Sequence, residues 1–323
     1  MIATPPASAT TARAIAFVAE RRAPAAALGI SLAEWVNDPD AFTLRLREGL
    51  AGLADPDYLD GQRRIAPGIG ALFGVRWPLL AAVQRGFRGG ARDVRPTPLL
   101  FLADRLFREP ELEIRWFLFD ILGRTVEGDA ERTWQLMRRA AREANDWITV
   151  DSLAYPYRDG IRREPYRWAE LEQLVYSPLR WERRLVGSTI ATMCHGRRRA
   201  TFHPELPRRG LELLALLIGD AEPDVQKALS WAYRSLASVD PASTAAALEA
   251  ETEVAVSTGD GHRAWVIRDT LAKLDPSVAE TIKGRLAGVR KRPGAPSTSR
   301  ASEISTRFGE LPDPSVHPDP PLT

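Results

Sequence analysis

The stretch SPLRWERRLVGSTIATM, residues 177–193, is the one whose reading decides the fold. It opens on a Pro-containing turn, places a basic residue about four positions in, and then presents an apolar face for three helical turns. Two other stretches share this plan, PELEIRWFLFDILGRTV at 110–126 and EPDVQKALSWAYRSLASV at 222–239. The recurrence points to degenerate helix-pair repeats, units that bury their apolar faces by stacking on their neighbours. A plain antiparallel bundle is the alternative, and it leaves the repetition unexplained.

Outward from these stretches, apolar residues at three- and four-residue spacings predict helices near 41–53, 77–88, 97–108, 111–126, 130–144, 147–155, 165–176, 179–194, 205–219, 222–238, 241–256, 260–273 and 276–289. Breaks between them carry Pro, Gly, Asp or Asn, as in PTP at 96–98, EGD at 127–129 and DAEPD at 220–224. The expected fold class is all-α: a HEAT-like helical-repeat solenoid, or α-α superhelix, with a concave basic groove. Its expected extent is 13–289, between a flexible N-terminus at 1–12 and a disordered Pro- and Ser-rich tail at 290–323. That tail has too few bulky apolar residues to offset the entropy of ordering it.

A chain of 323 residues with 44% hydrophobic and 27% charged content can bury a core. Its apolar runs, such as LELLALLIG at 211–219, fall short of the roughly 20 residues that span a bilayer. The N-terminus lacks the leading positive charge and cleavage site of a signal peptide, and the single cysteine, Cys194, forms no intramolecular disulfide. No membrane association is expected, and a cytoplasmic location is.

The net charge of +2 conceals clustered arginine: Arg138, Arg139 and Arg142; Arg162 and Arg163; Arg180, Arg183 and Arg184; Arg197, Arg198 and Arg199; Arg208 and Arg209. Guanidinium groups match phosphate geometry and stack on aromatic rings, so the clusters suggest a polyanionic partner. The plainer alternative is a genome that uses arginine where others use lysine. Chemistry through a metal is not indicated, because His195, His203, His262 and His317 show no ligand spacing and Cys194 beside His195 cannot complete a tetrahedral site. GIGALFG at 68–74 follows no strand and reads as helix termini and close packing rather than a phosphate loop. No cofactor is expected.

What remains is a set of aromatic and charged residues at helical spacing. Trp147 stands four residues ahead of Asp151 on what reads as the first turns of a helix, so both share a face. Trp181 and Arg184 are three apart with Arg183 beside them, and Lys227 and Trp231 are four apart. Such interleaving would line one wall with π faces and phosphate donors. A tryptophan on a helix is also a common core residue, and Asp151 also reads as a surface carboxylate paired with an arginine.

The segments DWITVDSL, SPLRWERRLV and PDVQKALSWAYRSLA, in this order, together with LFGVRWPLLAAV at 72–83, resemble the AlkD-type DNA alkylation-repair glycosylases, a family of HEAT-like-repeat proteins. The resemblance covers roughly 60–255. It implies hydrolysis of the N-glycosidic bond of cationic N3- or N7-alkylated purines in duplex DNA. Trp147 and Asp151 are then expected at the sugar of the lesion nucleotide, Arg184 at its phosphate, and Trp231 in the aromatic wall; Trp181, Arg183, Lys227 and Arg180 are further expected DNA contacts. Asp146 stands where the family can carry a second aromatic, and Tyr58 and Trp77 are the candidates for an N-terminal aromatic clasp. The expected partner is duplex DNA containing alkylated purines, bound by a monomer. The rival reading is a HEAT-type scaffold that binds nucleic acid or protein without chemistry.

Overall fold

The computed structural model of the chain describes residues 8–66, 69–195, 205–294 and 296–301. They are all-α in organisation, with two isolated bridge contacts and no strand among the described residues. The chain divides into two compact units, Met1–Leu136 and Met137–Thr323.

In the first unit, α1 (Ala9–Leu32), α2 (Pro39–Gly52), α3 (Pro56–Ile65), α4 (Trp77–Gly90), α5 (Pro96–Leu106) and α6 (Leu112–Thr125) enclose a core centred on Phe42, Phe87 and Phe117. The three rings sit 5.3–6.0 Å apart by centroid, within the range of favourable aromatic pairs. The loop before α4 is fastened by the buried Glu113 of α6, whose carboxylate accepts the backbone N–H groups of Phe73, Gly74 and Val75 at 2.8–3.1 Å. The described part of GIGALFG is thus a clamped loop. Helix α1 was not predicted. Its sequence is alanine-rich with weak periodicity and holds Pro24 internally, and it packs on α4 through small residues: a Cβ on Gly29 would lie 2.0 Å from the Val83 carbonyl oxygen.

After α7 (Ala130–Glu143), the second unit contains α8 (Trp147–Arg163), α9 (Trp168–Leu174), α10 (Arg180–Met193), α11 (Leu206–Leu217), α12 (Pro223–Ala237), α13 (Pro241–Thr258), α14 (Gly261–Thr270) and α15 (Pro276–Arg285). Helix α10 lies between α8 and α12, and α12 packs on α14. Contacts fix their direction. Asp151 meets Arg184 and Arg162 meets Met193 across α8 and α10; Asp224 meets Arg184 and Ser235 meets His195 across α12 and α10. Helices α8, α10 and α12 therefore run side by side in the same direction, with α9 and α11 returning between them. This is the stacked helix-pair arrangement that the three similar segments predicted, and those segments become α6, α10 and α12.

Local chemistry sets the helix starts. Four helices begin with Asp-Pro, at Asp38, Asp55, Asp240 and Asp275, the aspartate accepting a first-turn N–H and proline taking the first helical position. No described helix is long and apolar enough to cross a membrane. The expected tail boundary falls early: Ser297, Thr298 and Ser299 bond to Gly219, Asp260 and Leu216, and Ser299 and Ala301 are buried. Residues 302–323, 1–7 and 196–204, with Arg197, Arg198, Arg199, His203 and His317, lie outside the described residues.

The close contact between α10 and α12 depends on Gly187, where a Cβ would stand 2.9 Å from the Ala228 carbonyl carbon. Gly187→Leu is expected to destabilise the protein by about 1–3 kcal/mol through overpacking, read as a lowered thermal midpoint.

Candidate active site

Helix α8 begins at Asp146, whose buried carboxylate caps it by accepting from the Thr149 N–H (2.8 Å) and hydroxyl (2.6 Å). The position where the resembling family can carry a second aromatic is thus an N-cap here, and it fixes where Trp147 enters the helix. One side of α8 then presents Trp147, Asp151, Tyr155, Arg158 and Arg162 at three- and four-residue steps.

Asp151 is the most densely held of these. One carboxylate oxygen accepts from the Arg184 Nε (3.1 Å) and the Ser188 hydroxyl (2.6 Å), the other from the Arg184 Nη2 (2.8 Å). Arg184 uses its Nη1 on the Asp224 carbonyl at the start of α12 (2.6 Å), and its guanidinium carbon lies 5.9 Å from the centre of the Trp147 ring. Trp147 is half-buried, the Arg184 side chain is 5% exposed and that of Asp151 is 21% exposed. The carboxylate therefore keeps an edge toward solvent, while the guanidinium behind it is enclosed.

This arrangement corrects two expectations. Arg183 is not a surface donor: it is buried, forms an ion pair with the buried Asp220 (2.7 Å), and donates to the carbonyls of Ser177 and Pro178. Adjacent helix positions point about 100° apart, and this one points inward. Nor is Arg184 open to a phosphate, since all three of its nitrogens are bonded inside the protein. It acts as a clamp on Asp151. Ser188, one turn beyond Arg184, completes the grip; nothing in the sequence pattern singles it out.

Trp231 of α12 is half-buried and its ring meets the His195 imidazole at 5.7 Å. His195 also contacts the Ser235 hydroxyl (3.3 Å), and burial together with the nearby Arg158 lowers its pKa below the ordinary imidazole range. Cys194 beside it is buried, and burial pushes its thiol up to about 12, so it is no nucleophile near neutral pH. Lys227 is exposed one turn before Trp231. Trp181 and Arg180 pair with each other at 4.9 Å in the first turn of α10, where Arg180 also approaches Glu222 (3.7 Å). In the first unit Arg76 lies over the Tyr58 ring at 5.0 Å and pairs with Asp55 (2.6 Å). Trp77 is exposed, and with Tyr58, Ile15, Val18 and Arg22 it lines a cavity of 430 Å³.

The arginine clusters carry less free charge than their sequence suggests. Arg138, Arg139 and Arg142 meet Glu170, Glu143 and Glu182, while Arg208 meets Glu205 and Glu212 and Arg209 meets Glu172. These are surface ion pairs, worth about 0–1 kcal/mol each, in contrast to the buried Arg183 and Arg184.

A family model described as DNA alkylation repair enzyme matches residues 46–274, more than half of the chain and the whole of α8, α10 and α12. No curated protein and no solved structure matches it.

Removing the guanidinium of Arg183 leaves Asp220 buried and unpaired. Arg183→Met is expected to cost about 3–5 kcal/mol of stability, whereas Lys227→Ala stays within about 0.5 kcal/mol; denaturant unfolding of the two variants checks the contrast.

Proposed function

Because the chain belongs to the DNA alkylation repair enzyme family, we propose that it is a DNA glycosylase, hydrolysing the N-glycosidic bond of cationic N3- and N7-alkylated purines in duplex DNA. The observation that carries this reading is the Asp151 carboxylate, fixed by three donors with one edge open to solvent, on the same helix face as the half-buried Trp147.

An alkylated purine already bears positive charge and is a good leaving group. As its bond to C1′ breaks, the bonding electron pair moves onto the ring nitrogen and neutralises the base, while positive charge develops on the deoxyribose as in other glycosidic hydrolyses. A carboxylate that is already oriented stabilises that charge without reorganising, an effect worth a few kcal/mol of barrier. Water adds to C1′ and gives up a proton to Asp151, which passes it to solvent. The Trp147 indole offers its negative π face to the same sugar, contributing about 0.5–2 kcal/mol. Arg184 and Ser188 are positioning residues: they hold the carboxylate, and through Asp224 the guanidinium also ties the carboxylate to α12. Trp231, Lys227 and Arg180 remain the expected contacts to DNA. The reading carries with it a monomer, because a surface that wraps a duplex needs no partner chain, and keeps the cytoplasmic location expected from the sequence.

One observation favours the rival scaffold, in which no bond is broken: a carboxylate paired with arginine is also what a purely structural ion pair looks like. The two readings separate on released base. Incubation with methylated duplex DNA is expected to release 3- or 7-methylpurine, and Asp151→Asn is expected to reduce the single-turnover rate by about 10²–10³-fold with DNA affinity retained. Binding without release from the wild-type chain establishes the scaffold.

A further inference from the structure

With Arg183 and Arg184 enclosed, the grip on a DNA backbone has to come from elsewhere. Eight arginines of the clusters around positions 140, 182 and 208 all meet carboxylates. Arg162 meets none among the described residues: its one hydrogen bond there is from Nη2 to the Met193 carbonyl (2.9 Å), and its Nε and Nη1 find no acceptor among those residues. The side chain is exposed, and it lies on the α8 face that carries Asp151, at steps of four, three and four through Tyr155 and Arg158.

Arg158 is its neighbour. It reaches the Thr192 carbonyl (3.5 Å), lies over the Tyr155 ring at 5.2 Å, and is held by Asp159 through two bonds of 2.8 and 3.1 Å. Both guanidiniums are thus brought to the last carbonyls of α10, the negative end of that helix dipole. Capping those carbonyls occupies one nitrogen of each and does not require two arginines. Burial, with Arg158 alongside, lowers the pKa of Arg162. Arg158 is largely enclosed, its side chain 16% exposed and its three nitrogens all bonded within the protein, so the charge that faces solvent here is that of Arg162.

We propose that Arg162, flanked by Arg158, holds a backbone phosphate of the bound duplex about 16 Å along α8 from Asp151, at a rise of 1.5 Å per residue. The site rests on the reading of this face as the DNA-binding side of a repair enzyme. Successive phosphates of one strand advance about 3.4 Å along the duplex axis, so the contact falls a few nucleotides from the sugar at Asp151 and registers the strand against the carboxylate without touching the reacting atoms. Asp159, paired with Arg158 and close to Arg162, offsets part of the positive charge that a phosphate meets here and keeps the grip moderate.

The test is the salt dependence of binding to an undamaged duplex, followed by fluorescence anisotropy, for the wild-type chain and for Arg162→Gln, Arg162→Lys, Arg163→Gln and Asp159→Asn. Loss of one phosphate contact lowers the slope of log K against log salt by about 0.9. Arg162→Gln is expected to show that loss. Arg162→Lys, which keeps a point charge, and Arg163→Gln, on a neighbouring exposed face, are expected to keep the wild-type slope, and Asp159→Asn is expected to bind more tightly. A wild-type slope in Arg162→Gln overturns the phosphate site; so does an equal fall in Arg163→Gln, which assigns the effect to general surface charge. Unchanged affinity in Asp159→Asn overturns the offset given to Asp159. A wild-type chain with no salt-dependent binding to duplex overturns the underlying function instead.

Discussion

The second unit depends on one buried cation. Arg184 is nearly enclosed in α10, and a guanidinium removed from water must find acceptors or destabilise the fold by several kcal/mol. It finds them on both neighbours, the Asp151 carboxylate of α8 and the Asp224 carbonyl of α12. Three parallel helices are thereby set in register by a single side chain, and the carboxylate that results is oriented more firmly than an exposed aspartate would be. Structural and chemical demands meet in this contact: what satisfies the arginine also presents the acid.

The helix-pair pattern was legible because its period is a consequence of burial. Each repeat has to hide the same face, so the sequence repeats the same spacing, and α6, α10 and α12 fall where their segments place them. Helix α1 was illegible for the complementary reason. It packs through the backbone, by way of Gly29 against Val83, and small residues leave almost no hydrophobic periodicity to read. The short docked segment at 297–301 was missed because its hold is polar, a set of hydroxyl and amide bonds to Gly219, Asp260 and Leu216, and composition registers only its lack of apolar bulk.

The site was legible in part. Spacing on a helix decides which residues share a face, and Trp147 with Asp151 follow from that alone. Spacing does not decide which face turns inward. Arg183 and Arg184 are equivalent in sequence terms, yet both are buried, each against a different aspartate. Arginine clusters likewise mislead when counted without their carboxylates: Glu143, Glu205 and Glu212 pair within one helical turn, at spacings the sequence already shows, whereas Glu170 and Glu182 return only through the fold. The useful quantity is the charge left after pairing, and this requires coordinates.

That residual charge bears on how the proposed chemistry avoids a conflict. An acid that steadies a cationic sugar must sit close to a polyanion, and the phosphates that deliver the substrate raise the cost of a negative side chain beside them. A free arginine next to Asp151 would attract phosphate to the acid itself. Enclosing Arg184 behind the carboxylate prevents this: the cation offsets the acid's charge from inside, and the edge facing solvent remains an acceptor. Cations that meet solvent, such as Arg162, then stand further along α8, where they attract the backbone without drawing it across the acid. Separation of the two along one rigid helix sets their distance by backbone geometry, which side-chain motion cannot easily change.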